Sequence, residues 1–532
     1  MKCMTIIFAI AASALLLASC NRPAGIPAEL RAIMDANRAI ALPPPLHDFA
    51  ERAGALLTPN LDPEMDARVA AVVRQHTNPD ITLFNPRASA MPTTPPQGPH
   101  LSHEDLVKDI HFLFDLLRHA YVGYQYFGGD DVFLPLRDSM LERLGRMSDP
   151  LHPQVYLNQV LVPELQRAIR DNHFRIHNAV IGPPTYFPYM NADIILRETA
   201  NGFVAELDGA TYRLVETTLP DGTPVDAILP TLTADGELAW AFGRIVSGEG
   251  QTTTIRALFE NAETGEARSR LVSLRWVSST AQASQALLET REENGVAIVA
   301  NRSLSADWPD MRSFYDTLDE FYRSGYESRS IPALVLDLRS HRGGMANLAF
   351  EWARGFAGRA PICELALMPF VLGSSTMVDQ IESFGGLLDR SPIPQSRWET
   401  HFLERINDPD QRLRWLLPDL SPPRSYIPND NLVIVLMDQR VGSAGERFIS
   451  YLRQLENALF VGTNTRGVLL TGNVAQTTLP YSGFGIMFGL TLNLRPDLSQ
   501  FEGRGFMPDL WVPPDESLER VLAFIERYGL NR

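Results

Sequence analysis

Lysine and cysteine are almost absent from this chain. Among 532 residues the only lysines are Lys2 and Lys108 and the only cysteines are Cys3, Cys20 and Cys363. So few cysteines exclude a disulfide-built scaffold, and nearly all positive charge must come from arginine. Positive charge is itself in deficit: 47 basic residues face 63 acidic ones, a formal balance of −16. A surface of that sign repels phosphate backbones, which removes nucleic acid from the partners to consider. Long apolar runs are lacking beyond the first twenty positions. What is present is a composition of 45% hydrophobic and 21% charged residues, enough for about two to four domains with real cores and unlike a disordered or fibrous chain.

The N-terminus, "MKCMTIIFAIAASALLLASC", has one basic residue and an apolar core too short for a comfortable membrane span. Residues 1–19 read as a secretory signal. The ending Leu17-Ala18-Ser19-Cys20 resembles the bacterial lipobox, which implies cleavage before Cys20 and acylation of that cysteine. By the same resemblance, Asn21 rather than Asp at the next position favours the outer membrane of a Gram-negative envelope. Several acyl chains bury far more CH₂ groups than the single chain that anchors only marginally. With Cys20 acylated, Cys363 has no partner left, and no intramolecular disulfide is possible.

Residues 20–100 mix short helical patterns with proline clusters at 43–45 and 92–99 and read as a tether and accessory segment. A helical domain is expected over 101–185: Ser102-x-x-Asp105 opens like a capping box, and Leu106, Ile110, Leu113 and Leu117 recur at helical intervals. Over 186–290, turn dipeptides such as Asn201-Gly202, Asp208-Gly209, Asp221-Gly222 and Asp235-Gly236 separate short alternating runs, so this part is mostly β. From 291 to 532 buried apolar strands ("GVAIVAN", "IPALVLDLRS", "NLVIVLMD", "ALFVGTN") alternate with helical patterns. That alternation predicts an α/β core with a largely parallel sheet. The fold class is therefore multidomain α/β: helices first, a β module next, an α/β core last.

In such sheets ligands collect where strands end at their carboxyl side. Two loops fall there, "DLRSHRGG" (337–344) and "QRVGSAG" (439–445). Ser443 stands where a buried strand turns into a helix, a place that suits a nucleophile and equally a helix N-cap. Gly442-Ser443-Ala444-Gly445 is not the G-x-S-x-G elbow, since Val441 replaces its first glycine. Both strand-end loops are candidates for one site, and the backbone N–H of Ala444 with one from Gly343 or Gly344 would suit a tetrahedral oxyanion.

Together "LVLDLRSHRGG" (334–344), "VGSAGERF" (441–448), "FVGTNTRG" (460–467), "LPYSGF" (479–484) and "FEGRGFMPDLWV" (501–512) resemble, in order, the tail-specific (C-terminal processing) and tricorn-like serine peptidases. The resemblance implies Ser443 as nucleophile and a PDZ-like character for 186–290. The tail-specific branch uses a lysine base about 25 residues after the serine, a position that Val468 occupies here. The tricorn-like branch instead implies His173 in "RDNHFRI" as base and Glu502 in "FEGRGFMPD" as the supporting acid, with Asp509 as the alternative acid. Departures from the family pattern are concentrated at His341 and Arg342, which stand where it has small polar residues. His173 and His177 share the spacing of a zinc pair, but "FRI" between them lacks the Glu of H-E-x-x-H and suggests strand or turn, so neither metal nor cofactor is expected. Two functions follow from the resemblance: a lipid-anchored extracytoplasmic serine endopeptidase acting on peptides or polypeptides, or an inactive relative that binds envelope peptides in the same cleft.

Overall fold

The computed structural model describes residues 26–41, 61–76, 100–248, 250, 252–280, 288–304, 311–358, 369–379, 413–416, 426–493 and 501–531. Cys20, Cys363 and the proline clusters at 43–45 and 92–99 lie outside them. No helix among the described residues is long and apolar enough to cross a membrane.

The C-terminal part is built on a six-stranded mixed sheet. Its spatial order is Glu289–Glu293, Val296–Ala300, Ala333–Asp337, Leu432–Met437, Ala458–Gly462 and Leu510–Trp511. The first pairing is antiparallel and the later ones are parallel. "ALVLD" and "LVIVLM" are apolar without a break because both faces are covered. Leu334, Leu336, Val433 and Val435 pack with Phe321, Trp352 and Phe448 from the helices Met311–Glu327, Ala346–Ala357 and Ala444–Leu452. Val335, Leu432, Ile434 and Leu436 point the other way, toward Phe524 of helix Pro514–Tyr528 and Leu30 and Met34 of helix Ala28–Ala41. Burying one such side chain contributes about 1.5–3 kcal/mol, so these strands can only be central.

Helix Ala28–Ala41 falls on one of the short helical patterns in residues 20–100, and its Leu30 and Met34, one helical turn apart, are buried against the core sheet. Helix Pro63–His76 likewise buries Val69 and Val73 in the helical part of the molecule.

That helical part contains His103–His119, Gly129–Gly145 and a run from Pro153 to Ala168 with a π-helical stretch at Leu157–Leu161. Ser102 caps the first helix, its Oγ accepting from Asp105 N at 3.2 Å. Leu106, Ile110, Leu113 and Leu117 are all buried there, in one core with Phe174, Ile176 and, from far along the chain, Phe484, Ile486 and Phe488. A second sheet makes this joint: the short strand Arg175–Ile176 pairs antiparallel with Gly485–Asn493, Arg175 opposite Met487. Residues 170–176 are thus carried onto the C-terminal part.

Between them, seven antiparallel strands from Tyr186 to Trp276 surround a separate core containing Leu196, Phe242, Phe259 and Leu274. Gly202, Gly209, Gly222 and Gly236 take positive φ in the expected turns. Strand Tyr186–Thr199 pairs with both Gly202–Leu207 and Ala267–Trp276, so five strands close on themselves. The described residues of this module contain strands and turns but no helix.

Candidate active site

Strand Leu432–Met437 runs out at Asp438, whose Oδ1 accepts from Arg440 N at 2.9 Å and from Ser340 N of the neighbouring loop at 3.0 Å. The two strand-end loops are tied at their roots. Five residues further on, Ser443 has φ 55° and ψ −121° at the head of helix Ala444–Leu452. A non-glycine residue there stores about 1–3 kcal/mol of backbone strain, which surrounding bonds must hold. Glu446 supplies them. Its Oε2 accepts from Ser443 N at 3.2 Å and Val468 N at 2.8 Å; its Oε1 accepts from Gly467 N at 2.7 Å and the Thr465 hydroxyl at 2.5 Å. Burial pushes the Glu446 carboxyl up, and these donors pull it back toward the ionised form. Glu446 is a site residue whose only signal in the sequence is Ser-x-x-Glu ahead of an apolar run, the spacing of a capping box.

His173 reaches this turn from the other half of the chain: its Nε2 is 2.9 Å from Ser443 Oγ, across 270 positions of sequence. The ring is 7% exposed; among the described residues its Nδ1 makes no hydrogen bond of good geometry, and the Thr471 backbone acts on the ring to raise its basicity. Burial first, then the guanidiniums of Arg175 and Arg466, hold its pKa down at about 3. The imidazole is therefore neutral through the ordinary pH range and able to accept a proton.

Two buried carboxylates grip the segment bearing His173. Asp171 Oδ1 accepts from His173 N at 2.9 Å, and its Oδ2 accepts from the hydroxyls of Tyr121 and Thr471, each at 2.9 Å. Glu502 Oε1 accepts from Asn172 N at 2.7 Å, while Oε2 accepts from Leu469 N and Leu470 N at 3.0 Å. Glu502 thus holds the backbone beside the base and not the ring. Asp171, two residues before His173 in the same motif, had been given no function. Burial and mutual repulsion raise the pKa of this carboxyl pair. Glu502 is met only by backbone N–H groups, whereas hydroxyls can turn to accept, so a proton shared by the pair belongs on Asp171.

The candidate oxyanion donors differ in what they meet. Gly343 lies against the nucleophile: a Cβ on it would stand 2.9 Å from Ser443 Cβ, and its φ is +106°. Its N–H, however, donates to Nδ1 of His341 at 3.0 Å. The His341 ring is fully buried, with Nε2 unpartnered and Nδ1 2.5 Å from where a Gly445 Cβ would fall. Burial drives its pKa down to about 3, so it is neutral and accepts through Nδ1. Gly344 N and Ala444 N are not engaged in this way.

The remaining candidates sit elsewhere. Asp509 accepts from Phe460 N at 2.8 Å, at the end of a core strand. His173 and His177 flank the strand Arg175–Ile176, and the Nε2 of His177 is 3.4 Å from Asn178 Nδ2 rather than facing His173's partner. Lys108 is exposed and bonded to Glu104 at 2.8 Å, while Val468 is buried at the position of a lysine base.

Residues 306–512 match peptidase family S41, so the chain carries a serine-peptidase family domain. The chain is similar to mature CPAF complexed with lactacystin at 16% identity and a TM-score of 0.37, covering 80% of this chain and 97% of that one. It is similar to the photosystem II D1 C-terminal processing protease at 14% identity, TM-score 0.33, covering 79% and 96%. A third similarity is to the tricorn protease, at 12% identity and TM-score 0.33, covering 80% of this chain and 37% of that one.

Proposed function

We propose that the protein is a serine endopeptidase of the bacterial cell envelope, held to the outer membrane through acylated Cys20, which hydrolyses peptide bonds by way of an acyl-enzyme. The observation that carries this reading is the 2.9 Å contact between Ser443 Oγ and His173 Nε2. His173 takes the Ser443 proton as Oγ attacks the scissile carbonyl carbon, and the same proton then passes to the leaving amine. Water, deprotonated by His173, attacks the acyl carbon and releases the second product with Ser443 restored. Ala444 N–H and Gly344 N–H stabilise the oxyanion, with Gly343 N–H joining them when His341 lets it go; one such donor is worth about 3 kcal/mol. Glu502 acts as the supporting acid through the backbone of Asn172.

The test is covalent labelling of the purified protein by a fluorophosphonate, with cleavage of a peptide library in parallel. Labelling that is present in the wild type and absent in Ser443→Ala supports the reading; labelling that survives in Ser443→Ala overturns it. For the anchor, Cys20→Ala protein should leave the membrane fraction, and unchanged fractionation removes the lipoprotein part. One observation favours a second reading, an inactive peptide-binding relative: the His341 ring occupies the Gly343 N–H. A folded wild type that never labels or cleaves makes that reading the better one.

A further inference from the structure

Among the described residues, positive charge without counter-charge borders the Ser443–His173 pair. Arg175 follows His173 by two residues on the strand paired with Gly485–Asn493, and its Nε is buried with no hydrogen-bond partner. Arg466 comes from the loop that Glu446 ties to the nucleophile turn. Its N–H donates to Val441 O at 2.8 Å, and its Cδ is 3.6 Å from where a Cβ on Gly442 would sit, next to the nucleophile. Its side chain is exposed. Each guanidinium acts on the His173 ring and the two act on each other.

Two other arginines at the strand-end loops are matched by a carboxylate: Arg302 and Arg339 both bind Asp337, at 2.5 and 2.7 Å. Arg175 and Arg466 have no such carboxylate among the described residues, in a chain with an acidic excess of 16 charges. Two like charges held together, one half-buried with an unmet N–H, repel each other and lower the basicity of the imidazole that must become cationic during catalysis. A carboxylate between them would satisfy the free N–H groups by charge-assisted hydrogen bonds, relieve the repulsion and favour the imidazolium.

We propose that Arg175 and Arg466 together bind a carboxylate of the substrate beside the scissile bond, so that peptides presenting a carboxylate there are the preferred substrates. The inference rests on the serine-peptidase reading for its catalytic consequence but not for the binding site itself. The carboxylate comes either from an Asp or Glu side chain or from a free chain terminus. In both cases it completes the charge balance around His173, so the favoured substrate also helps the base that attacks it.

The experiment uses the full-length protein and fluorogenic peptides in matched pairs: Asp or Glu against Asn or Gln at single positions around the cleaved bond, and a free C-terminus against its amide. Wild-type kcat/KM should be roughly tenfold or more higher for the carboxylate member of at least one pair type. The pair type that responds identifies the source. Arg466→Gln and Arg175→Gln should each shrink that ratio toward unity. Arg175→Lys should keep part of it, which separates lost charge from lost folding, and Arg466→Glu should transfer preference to lysine-containing peptides. Equal kcat/KM within every pair overturns the inference while leaving the peptidase reading intact. Binding of the same peptides to Ser443→Ala protein, followed by fluorescence anisotropy, covers the opposite case. Arginine-dependent preference in binding, with no fluorophosphonate labelling of the wild type, upholds the carboxylate site and overturns the enzyme.

Discussion

On the serine side of the pair, the carboxylate that fixes the geometry, Glu446, stands three residues from the nucleophile and bonds Ser443 N and the 465–468 loop. On the histidine side the corresponding carboxylate is 330 positions from the residue it holds: Glu502 bonds Asn172 N, and Asp171 adds a local grip on His173 N. Both sides use a buried carboxylate surrounded by backbone donors, which costs solvation but leaves little freedom of movement. They differ in what must fold first. The serine side needs only the core sheet and one helix, whereas the histidine side needs the strand Arg175–Ile176 seated on Gly485–Asn493.

The sharpest way to test that the two sides form one unit is to remove each. Ser443→Ala and His173→Ala should each lower kcat by about 10⁵–10⁶-fold, and the double variant should be no worse than either single one. Multiplying losses in single-turnover assays would show that the sides act separately. Lys108→Ala, placed on an exposed surface, serves as the control with unchanged labelling.

The next test separates the two carboxylates. An amide at either position cannot accept from every donor, so Glu446→Gln and Glu502→Gln each strand at least one buried N–H, at about 1–3 kcal/mol of stability in denaturant unfolding. The effect on rate should be unequal. In Glu502→Gln the amide oxygen can serve Leu469 N and Leu470 N, leaving Asn172 N, next to the base, unsatisfied. A fall in kcat of about 10–10²-fold is expected there. In Glu446→Gln the oxygen can keep Ser443 N and Val468 N, leaving Gly467 N stranded, and the rate should fall less. The reverse order of kcat values would show that the serine side is the weaker of the two.

His341→Ala probes the serine side from the neighbouring loop. Releasing Gly343 N–H should speed fluorophosphonate labelling by up to about 10²-fold, since that is the worth of one oxyanion donor. Stability should fall by about 2–4 kcal/mol from the cavity left by a fully buried ring. Slower labelling would mean that His341 positions Gly343 rather than withholding it.

The smallest expected effect is in the pH profile. A free-enzyme base with an ordinary pKa would give an acid limb roughly between pH 6 and 8. His173 instead titrates at about 3, and a base acts while deprotonated, so kcat/KM should stay near its maximum down to about pH 5. The stability linkage has the same sign for His173 and His341. Folded pKa values of about 3, below the unfolded 6.5, contribute stability above pH 6.5 that is lost as pH falls toward 3. Asp171 and Glu502, raised by burial, act oppositely: their contribution is present in acid and is lost as pH rises through their folded pKa values. A histidine limb between pH 6 and 8 in kcat/KM would overturn the depressed value.

Local pattern made much of this legible. The unbroken apolar strands, the helix begun by Ser102 and the turn glycines all follow from periodicity and backbone preference, which act over a few residues. Ser443 was placed by the strand-to-helix junction, and lysine was set aside by scarcity together with Val468. Helix Ala28–Ala41 is legible as a short helical pattern, but its docking on the core sheet is not, because its apolar stripe is short and names no partner.

The sequence by itself therefore determined the core sheet, the strand-to-helix turn that carries Ser443 and the kind of residue that could serve it as a base. Tertiary structure decided that His173 Nε2 meets Ser443, that Glu502 grips Asn172 instead of the ring, and that His341 holds the Gly343 N–H. Among the described residues it also left Arg175 and Arg466 beside His173 without a carboxylate. Periodicity along a chain reports which face of an element is buried, but not which distant loop will face it. Those contacts join residues 270 and 330 positions apart, and they exist only once the second sheet has brought the two parts of the chain together.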